Sequence, residues 1–460
     1  MQIRVRFICS STGGKLIYGD PNMLISGVCI DSNHVLPGAV FFALKGQRHD
    51  GHDFAEEALN KGASAVVISD PARIPDYPSR EKAVILVKDT RKALQDLAAQ
   101  YRIQFNLTVV AVTGSVGKTT TKDLVALCLQ TKYKTLKTEG NLNNEIGLPL
   151  TVLNLTSDFK AAVLELAMRA RGEISQLSSI AKPNIALITN VGPVHLETLG
   201  NIENIARAKC EVLESIPPEG FGLINGDNRV LLEEADKYPC TKYTFGYNKG
   251  CDFRIKTADI DDQNLIIKAE MLGKEDMISF PIPSKRLAPN VVAAMGLSYL
   301  LGLDLSSSKK ALMDYRPSGN RLNLTNLAEG GLVINDTYNA NPLSMALAIE
   351  TAKEIAGGRK LVAVLGDMFE LGEYETQGHI EVGRKAAEAG FNILIAIGKR
   401  SEAIAKGALE SGMMPENIFH CLSKEDGLQI LRRVGSKKDV TLFKASRGMQ
   451  METLLEDWLH

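Results

Sequence analysis

The 460-residue chain has almost no surplus of either charge: 53 Lys and Arg stand against 54 Asp and Glu, a formal net of −1. Binding that works by neutralising phosphates needs a cationic excess, so a general nucleic-acid binder is excluded and no nucleic-acid partner is expected. Long apolar runs are missing too. The longest mostly apolar stretch, Val291 to Leu303, is too short to span a bilayer, and no membrane insertion is expected. Met1 to Ser10 carries Arg4 and Arg6 but no continuous apolar segment and no small-residue cleavage site, so no secretory signal is expected. The seven cysteines are odd in number, scattered and never paired as CxxC. That pattern argues against a disulfide framework and a structural zinc site, and favours a reducing, cytoplasmic setting. Short-period repeats and low-complexity tracts are also absent.

What is present is an ordinary globular composition, 45% hydrophobic, in a chain long enough for about three domains. The first block, residues 1–102, mixes short strands (39–44, 65–68, 83–87) with helical stretches at 54–61 and 90–101. The second, residues 103–314, opens on the apolar run Leu107 to Thr113 and continues with runs at 161–166, 185–190 and 222–225. Continuous apolar runs separated by helical segments predict βαβ units and a doubly wound, largely parallel sheet. From about Tyr243 to Phe280 the strands turn polar, which predicts an antiparallel extension, followed by a helix from Asn290 to Leu301. The string Tyr315-Arg316-Pro317-Ser318-Gly319 marks a second boundary. Residues 315–460 restart the alternation at 332–335, 361–365, 393–397 and 440–443, as a Rossmann-like α/β unit would.

The chemistry concentrates where Val109 to Thr113 runs into Gly114-Ser115-Val116-Gly117-Lys118-Thr119-Thr120 and then a helix. The glycines let backbone N–H groups turn toward an anion, and the helix adds its positive N-terminus. Lys118 can neutralise β- and γ-phosphates, and the Thr119 hydroxyl is placed for Mg²⁺. The full G-x-x-x-x-G-K-[ST] pattern is not met, because Val112 occupies its first glycine position. Ligands of open α/β sheets lie beyond the carboxyl ends of the strands, which directs attention to Glu165 after one neighbouring run and His195 after another. A carboxylate and an imidazole there would suit a second divalent cation. A GTPase would need Asn-Lys-x-Asp; the nearest string, Asn248-Lys249-Gly250-Cys251-Asp252, places Asp one residue late. A second α/β unit after the nucleotide domain fits an ATP-driven ligase better than a switch. His49 and His52 lack a third ligand nearby and read as structural.

These strings resemble the Mur ligase family along essentially the whole chain. Asp31-Ser32, Pro37-Gly38, Phe41 to Leu44, Gly46 and Asp50-Gly51-His52 look like its uridine-nucleotide-binding domain. The phosphate loop Thr113 to Lys122 and the signature Asn141 to Pro149 match the central ATP-binding domain, as do Glu165 to Ile174 and Asn190 to Glu197. Asp336 to Pro342, Gly366 to Gly372 and Lys444 to Arg447 match the last domain and the branch that adds D-alanyl-D-alanine. The resemblance implies an amide ligase consuming ATP with Mg²⁺, forming an acyl phosphate on UDP-N-acetylmuramoyl-tripeptide and coupling D-alanyl-D-alanine to it, as a cytoplasmic monomer. It implies catalytic roles for Lys118, Glu165, His195 and Lys209, with Thr119, Glu165, His195 and Lys209 (as a carbamate) holding metal. Implied ATP contacts are Gly114 to Thr120, Asn290, Arg321 and Asp336; implied substrate contacts are Asp31, Ser32, Asn141, Asn143, Asn144, Asn339 and Asn341. Four positions depart from the family pattern: Asn33, Arg286, Leu287 and Ala445. A sister ligase adding one amino acid should carry Asp-Asn-Pro-Arg, which this chain lacks. A folylpolyglutamate-synthase-like enzyme should lack the first block, and a decayed regulatory protein should not keep Lys118, Glu165, His195 and Lys209 together.

Overall fold

The computed structural model describes residues 1–46, 48–75, 81–261 and 263–460. The chain is α/β throughout, and each of the three sequence blocks builds its own main sheet. In the first, strands run in the order Lys15–Tyr18, Ala83–Leu86, Ala65–Ile68, Ala39–Phe42, Gly27–Cys29, parallel except for the first. A small antiparallel pair, Ile3–Arg4 with Leu24–Ile25, lies apart from it.

The middle sheet has nine strands. Its parallel part runs Thr241–Gly246, Phe221–Asn225, Ile185–Ile188, Thr108–Thr113, Ala161–Glu165, Thr135–Lys137. The strand Thr108–Thr113 is the switch point, because the next two strands, Thr135–Lys137 and Ala161–Glu165, lie on one side of it and those from Ile185–Ile188 onward on the other. Such a point opens a crevice at the strands' carboxyl ends. Register makes the placement definite: Glu165 lies beside Val112, and Ile188 beside Thr113, so three strands end level at the phosphate loop. All six residues from Ile185 to Asn190 were expected as strand; pairing stops at Ile188, where Thr189 and Asn190 turn to hold the loop.

The antiparallel extension is a meander of Phe253–Asp261, Asn264–Met271 and Lys274–Phe280. It starts later than the change in polarity at Tyr243 predicts. Thr241–Gly246 is a parallel strand, pairing with Phe221–Asn225 and, at Phe245 and Gly246, parallel to the meander's first strand. Its half-exposed residues Lys242, Tyr243 and Thr244 give it the polar look of an edge although it is not one. The helix expected from Asn290 begins at Ala288, with Pro289 in the first turn, where its missing N–H costs nothing.

The last sheet runs Asn323–Asn326, Leu332–Asn335, Val440–Lys444, Leu361–Gly366, Ile393–Ile397, Ile418–Cys421, with only the first pair antiparallel. Two seams lock the blocks together. On one side buried Arg102 donates to the carbonyls of Ala181, Phe105 and Lys182. On the other, Ser318 Oγ donates to Asp123 on the phosphate-loop helix at 2.7 Å, and the Ser284 and Thr351 hydroxyls meet at 2.9 Å. No helix among the described residues is long and apolar enough to cross a membrane, and all seven cysteines are free thiols.

Candidate active site

A cleft of about 1030 Å³ opens where the carboxyl ends of the middle sheet face the last block, and residues from all three blocks line it. The phosphate loop forms its floor. Gly114 and Gly117 have φ of +146° and +84°, a region side chains rarely adopt. Space also excludes a side chain: a Cβ on Gly114 would lie 1.9 Å from Thr189 Oγ1, and one on Gly117 2.6 Å from Asn290 Nδ2. The loop is tied down from the neighbouring strand end. Asn190 Oδ1 accepts from Val116 N–H, and the Thr189 hydroxyl donates to the Val116 carbonyl. Asn290 donates to Thr121 Oγ1 at 2.7 Å, bracing the first turn of the loop's helix, Lys118–Gln130.

Lys118 folds back so that its ammonium donates to the Gly114 carbonyl at 2.8 Å. Burial pulls its pKa below the usual lysine range, against the opposing pull of Glu165. Thr119 Oγ1 is buried with no hydrogen-bond partner. Glu165 is buried; one carboxylate oxygen accepts from Asn143 Nδ2 at 2.7 Å, while the other is orphaned. Buried polar atoms are normally paired, so two orphaned oxygens in one cleft mark a place built for another partner.

His195 lines the same cleft, with burial and then the nearby Lys209 and Lys118 pushing its pKa down to about 4. Its ring is therefore neutral at physiological pH and keeps a lone pair. Lys209 is not a surface lysine. It follows Ile205 by four positions on the helix Ile202–Cys210, so both fall on the buried face. The side chain is 2% exposed and makes no hydrogen bond or ion pair among the described residues. Burial, then Lys118, holds its pKa well below the usual lysine range. Of the four expected metal-site residues only Glu165 and His195 are His, Cys, Asp or Glu, and among the described residues no group of three such side chains is arranged to hold a metal ion. The donors Thr119, Glu165, His195 and a carbamate on Lys209 would together be mostly oxygen, as Mg²⁺ prefers.

Other expected residues fall into place with different duties. Asn141, Asn143 and Asn144 line the cleft, and Asn144 also caps the turn at Ile146 and Gly147. Arg321 stacks on the Tyr338 ring at 3.7 Å. Asn339 accepts from Arg447 N–H, and Asn341 caps the helix Pro342–Ala356 in a capping box with Ser344. Asp31 and Ser32 lie outside the lining of this cleft. Asp31 caps the turn at Ser32–His34, and Ser32 Oγ reaches Glu57 at 3.5 Å. His52 is a buried structural residue, between Asp50 and the Ser69 N–H. Arg169, which reads from the sequence either as part of a solvated basic stretch or as facing the substrate, lines the cleft, and so do Gln176, Tyr338, Glu370 and Lys444, which sequence reasoning did not single out as site residues. Glu370 could have been found, since it stands inside the string Gly366 to Gly372.

Asp336 also lines the cleft, with its carboxylate committed to Lys444 at 2.7 Å, the Leu322 N–H at 3.0 Å and Arg286 at 3.7 Å. Burial alone would raise its pKa, but Lys444 and Arg286 more than offset that and hold it below the usual carboxylate range. The unfolded chain therefore binds this proton first as pH falls. The stabilisation is complete at neutral pH and drains away as pH drops below about 4 and through the lower folded value. Asp336→Asn leaves Lys444 buried and uncompensated, with an expected loss of about 3–5 kcal/mol at pH 7. Urea titrations from pH 7 to pH 3 should show a shallower acid loss in the variant than in the wild type.

Three family models match the chain in turn: "Mur ligase family, catalytic domain" at residues 24–102, "Mur ligase middle domain" at 112–298 and "Mur ligase, glutamate ligase domain" at 320–447. The UDP-N-acetylmuramoyl-tripeptide–D-alanyl-D-alanine ligase of Bacillus subtilis (strain 168) is 38% identical over 434 residues, 94% of this chain and 93% of that protein. Among solved structures, MurF of Acinetobacter baumannii superposes with a TM-score of 0.89 at 30% identity, covering 100% of this chain and 99% of that one. The MurF ligase of Thermotoga maritima in complex with ADP gives 0.81 at 31% identity over 94% and 97%. A phosphate loop facing a second α/β unit across one cleft, and likeness of this extent over the whole length, lead to one conclusion: the chain belongs to the Mur ligase family.

Proposed function

We infer that the chain is an ATP-dependent ligase that joins D-alanyl-D-alanine to UDP-N-acetylmuramoyl-tripeptide, a step of peptidoglycan synthesis. The observation that carries the reading is the cleft itself. It places a phosphate loop, two orphaned buried oxygens, a neutral imidazole and a buried unpaired lysine opposite the last block. Relatives bearing the name of that reaction match nearly the full chain.

Residues 1–102 take the uridine nucleotide, 103–314 take ATP, and 315–460 bring the incoming dipeptide. Making an amide from a carboxylate at neutral pH requires a better leaving group than oxide. The tripeptide carboxylate attacks the γ-phosphate of ATP, ADP leaves, and the resulting acyl phosphate is displaced by the dipeptide amine through a tetrahedral intermediate. The protein's share is positioning and charge stabilisation. Gly114 to Thr120 wrap the phosphates with backbone N–H groups, and the Lys118 ammonium leaves the Gly114 carbonyl for the β- and γ-oxygens. Thr119 would hold one Mg²⁺; Glu165, His195 and Lys209 as its carbamate would hold a second. Bound there, the ions supply positive charge that offsets repulsion between the phosphates and the attacking carboxylate. Burial favours the neutral Lys209 amine, the form that adds carbon dioxide and releases a proton to become a carbamate. Asn290 and Arg321 flank the nucleotide; Asn141, Asn143, Asn339 and Asn341 face the acceptor and the dipeptide. The seven free thiols fit a cytoplasmic enzyme.

Phosphate release from ATP and Mg²⁺, measured with each substrate alone and with both, tests the reading. Release is expected only with both present. Release with neither substrate, or equal release with one, would overturn it.

A further inference from the structure

The loop that carries His195 is gripped from across the cleft by the last block. His195 Nδ1 lies 3.2 Å from Glu370 Oε2. Gly192, three residues earlier, packs so closely on Leu343 that a Cβ would lie 2.7 Å from Leu343 Cδ2. Gly372 sits over Glu197, where a Cβ would lie 3.1 Å from Glu197 Cα. The two residues of the central contact are also backbone exceptions: φ is +55° at His195 and +64° at Glu370, though neither is glycine. Bulky residues keep that conformation only where their surroundings impose it.

The chemistry of the contact is directional. A neutral imidazole with its hydrogen on Nδ1 has its lone pair on Nε2; the Glu370 carboxylate stands at contact distance from Nδ1 without being aligned as a hydrogen bond, and alignment of the pair would select that tautomer. Metal-binding histidines are commonly oriented in this way through their second nitrogen. Here, however, the carboxylate and the histidine come from different blocks, facing each other across the cleft. Glu370's other oxygen, Oε1, lies 4.0 Å from Arg169 Nε, so the same carboxylate also meets a charge beside the His195 loop.

We propose that Glu370 is a positioning residue of the last block, whose carboxylate takes the Nδ1 hydrogen of His195 and leaves Nε2 as the ligand atom, so that the metal site is complete only when the last block stands over the cleft. The inference rests on reading His195 as a ligand of the second cation. It adds that a residue touching neither ATP nor the cation couples closure to metal binding.

The test uses the full-length enzyme with a non-hydrolysable ATP analogue and UDP-N-acetylmuramoyl-tripeptide, titrated with Mn²⁺ and followed by electron paramagnetic resonance. Wild type, Glu370→Ala, Glu370→Gln and His195→Ala are compared. Glu370→Ala is expected to weaken one Mn²⁺ by about 10–100-fold. It should lower kcat while leaving KM for ATP within about twofold, the split expected of a contact that acts through another residue. Because Glu370 is half exposed, its Tm should stay within about 2 °C of wild type. Glu370→Gln keeps an oxygen that accepts the Nδ1 hydrogen and should recover much of the Mn²⁺ affinity. Wild-type Mn²⁺ binding in Glu370→Ala, alongside a loss in His195→Ala, would overturn the proposal and leave the ligand reading standing. Unchanged binding in both would overturn the ligand reading, and the proposal with it. An equal loss in Glu370→Ala and Glu370→Gln would overturn the hydrogen-bond account.

Discussion

Replacing Lys118 with alanine is expected to lower kcat by on the order of 10²–10³ while the fold survives. The ammonium makes one hydrogen bond, to the Gly114 carbonyl, at the end of a loop held independently by Thr189 and Asn190. Losing that bond costs about 1 kcal/mol, and removing a desolvated charge returns part of it. In turnover the same group faces the oxygens on which charge is rearranged, and no neighbour replaces it. Arg321 contributes positive charge nearby, but its guanidinium is stacked on Tyr338. Stopped-flow or steady-state phosphate release, with a thermal melt on the same sample, separates the two effects. Wild-type kcat in the variant would sink the assignment of the loop, whereas a collapsed melt would make Lys118 structural.

The second large effect is at Lys209. Its alanine variant should be inactive yet at least as stable as wild type, because a fully buried amine without a partner is a burden on the folded state. A merely structural lysine predicts the reverse, normal turnover with a lower Tm. If the working group is a carbamate, short-chain carboxylates such as formate or acetate should restore part of the activity by placing an anionic oxygen in the space vacated. Bicarbonate should not, since no amine remains to be carbamylated. Full activity of Lys209→Ala with no additive would show that the carbamate is not needed.

Much of this site is visible in the sequence because its parts are local. A buried strand, a glycine turn, Gly-Lys-Thr and a helix are contiguous, and the rule that ligands lie beyond strand ends leads from there to Glu165 and His195. The register of Glu165 beside Val112 is the physical form of that rule. Lys209 is a different matter. From residue type alone a helical lysine reads as surface, and only its position four after Ile205 places it inside. Contacts between blocks were the least legible. Nothing in the spacing of Glu370, Arg286 or Ser318 announces that they meet His195, Asp336 and Asp123, because those pairs are joined by tertiary closure rather than by periodicity.

The fold followed the same division. Apolar runs buried on both faces were recognised to within a residue or two, as at Ile393–Ile397 and Leu332–Asn335. Strands that escaped notice, such as Lys15–Tyr18 and Asn323–Asn326, lie at sheet edges, where half-exposed residues blur the pattern. Thr241–Gly246 misled in the opposite sense: it is an interior parallel strand that carries polar side chains where the sheet turns into the meander.

The central claim, that this cleft couples a dipeptide to a nucleotide-linked peptide at the expense of ATP, is tested most directly by the mass of the product. UDP-N-acetylmuramoyl-tripeptide, D-alanyl-D-alanine, ATP and Mg²⁺ are incubated with the full-length enzyme, and the nucleotide product is weighed by mass spectrometry. The account predicts a gain equal to the dipeptide less one water, with one ADP formed per coupling. A gain of a single amino acid when alanine replaces the dipeptide, or ADP formed with no change in mass, would contradict it.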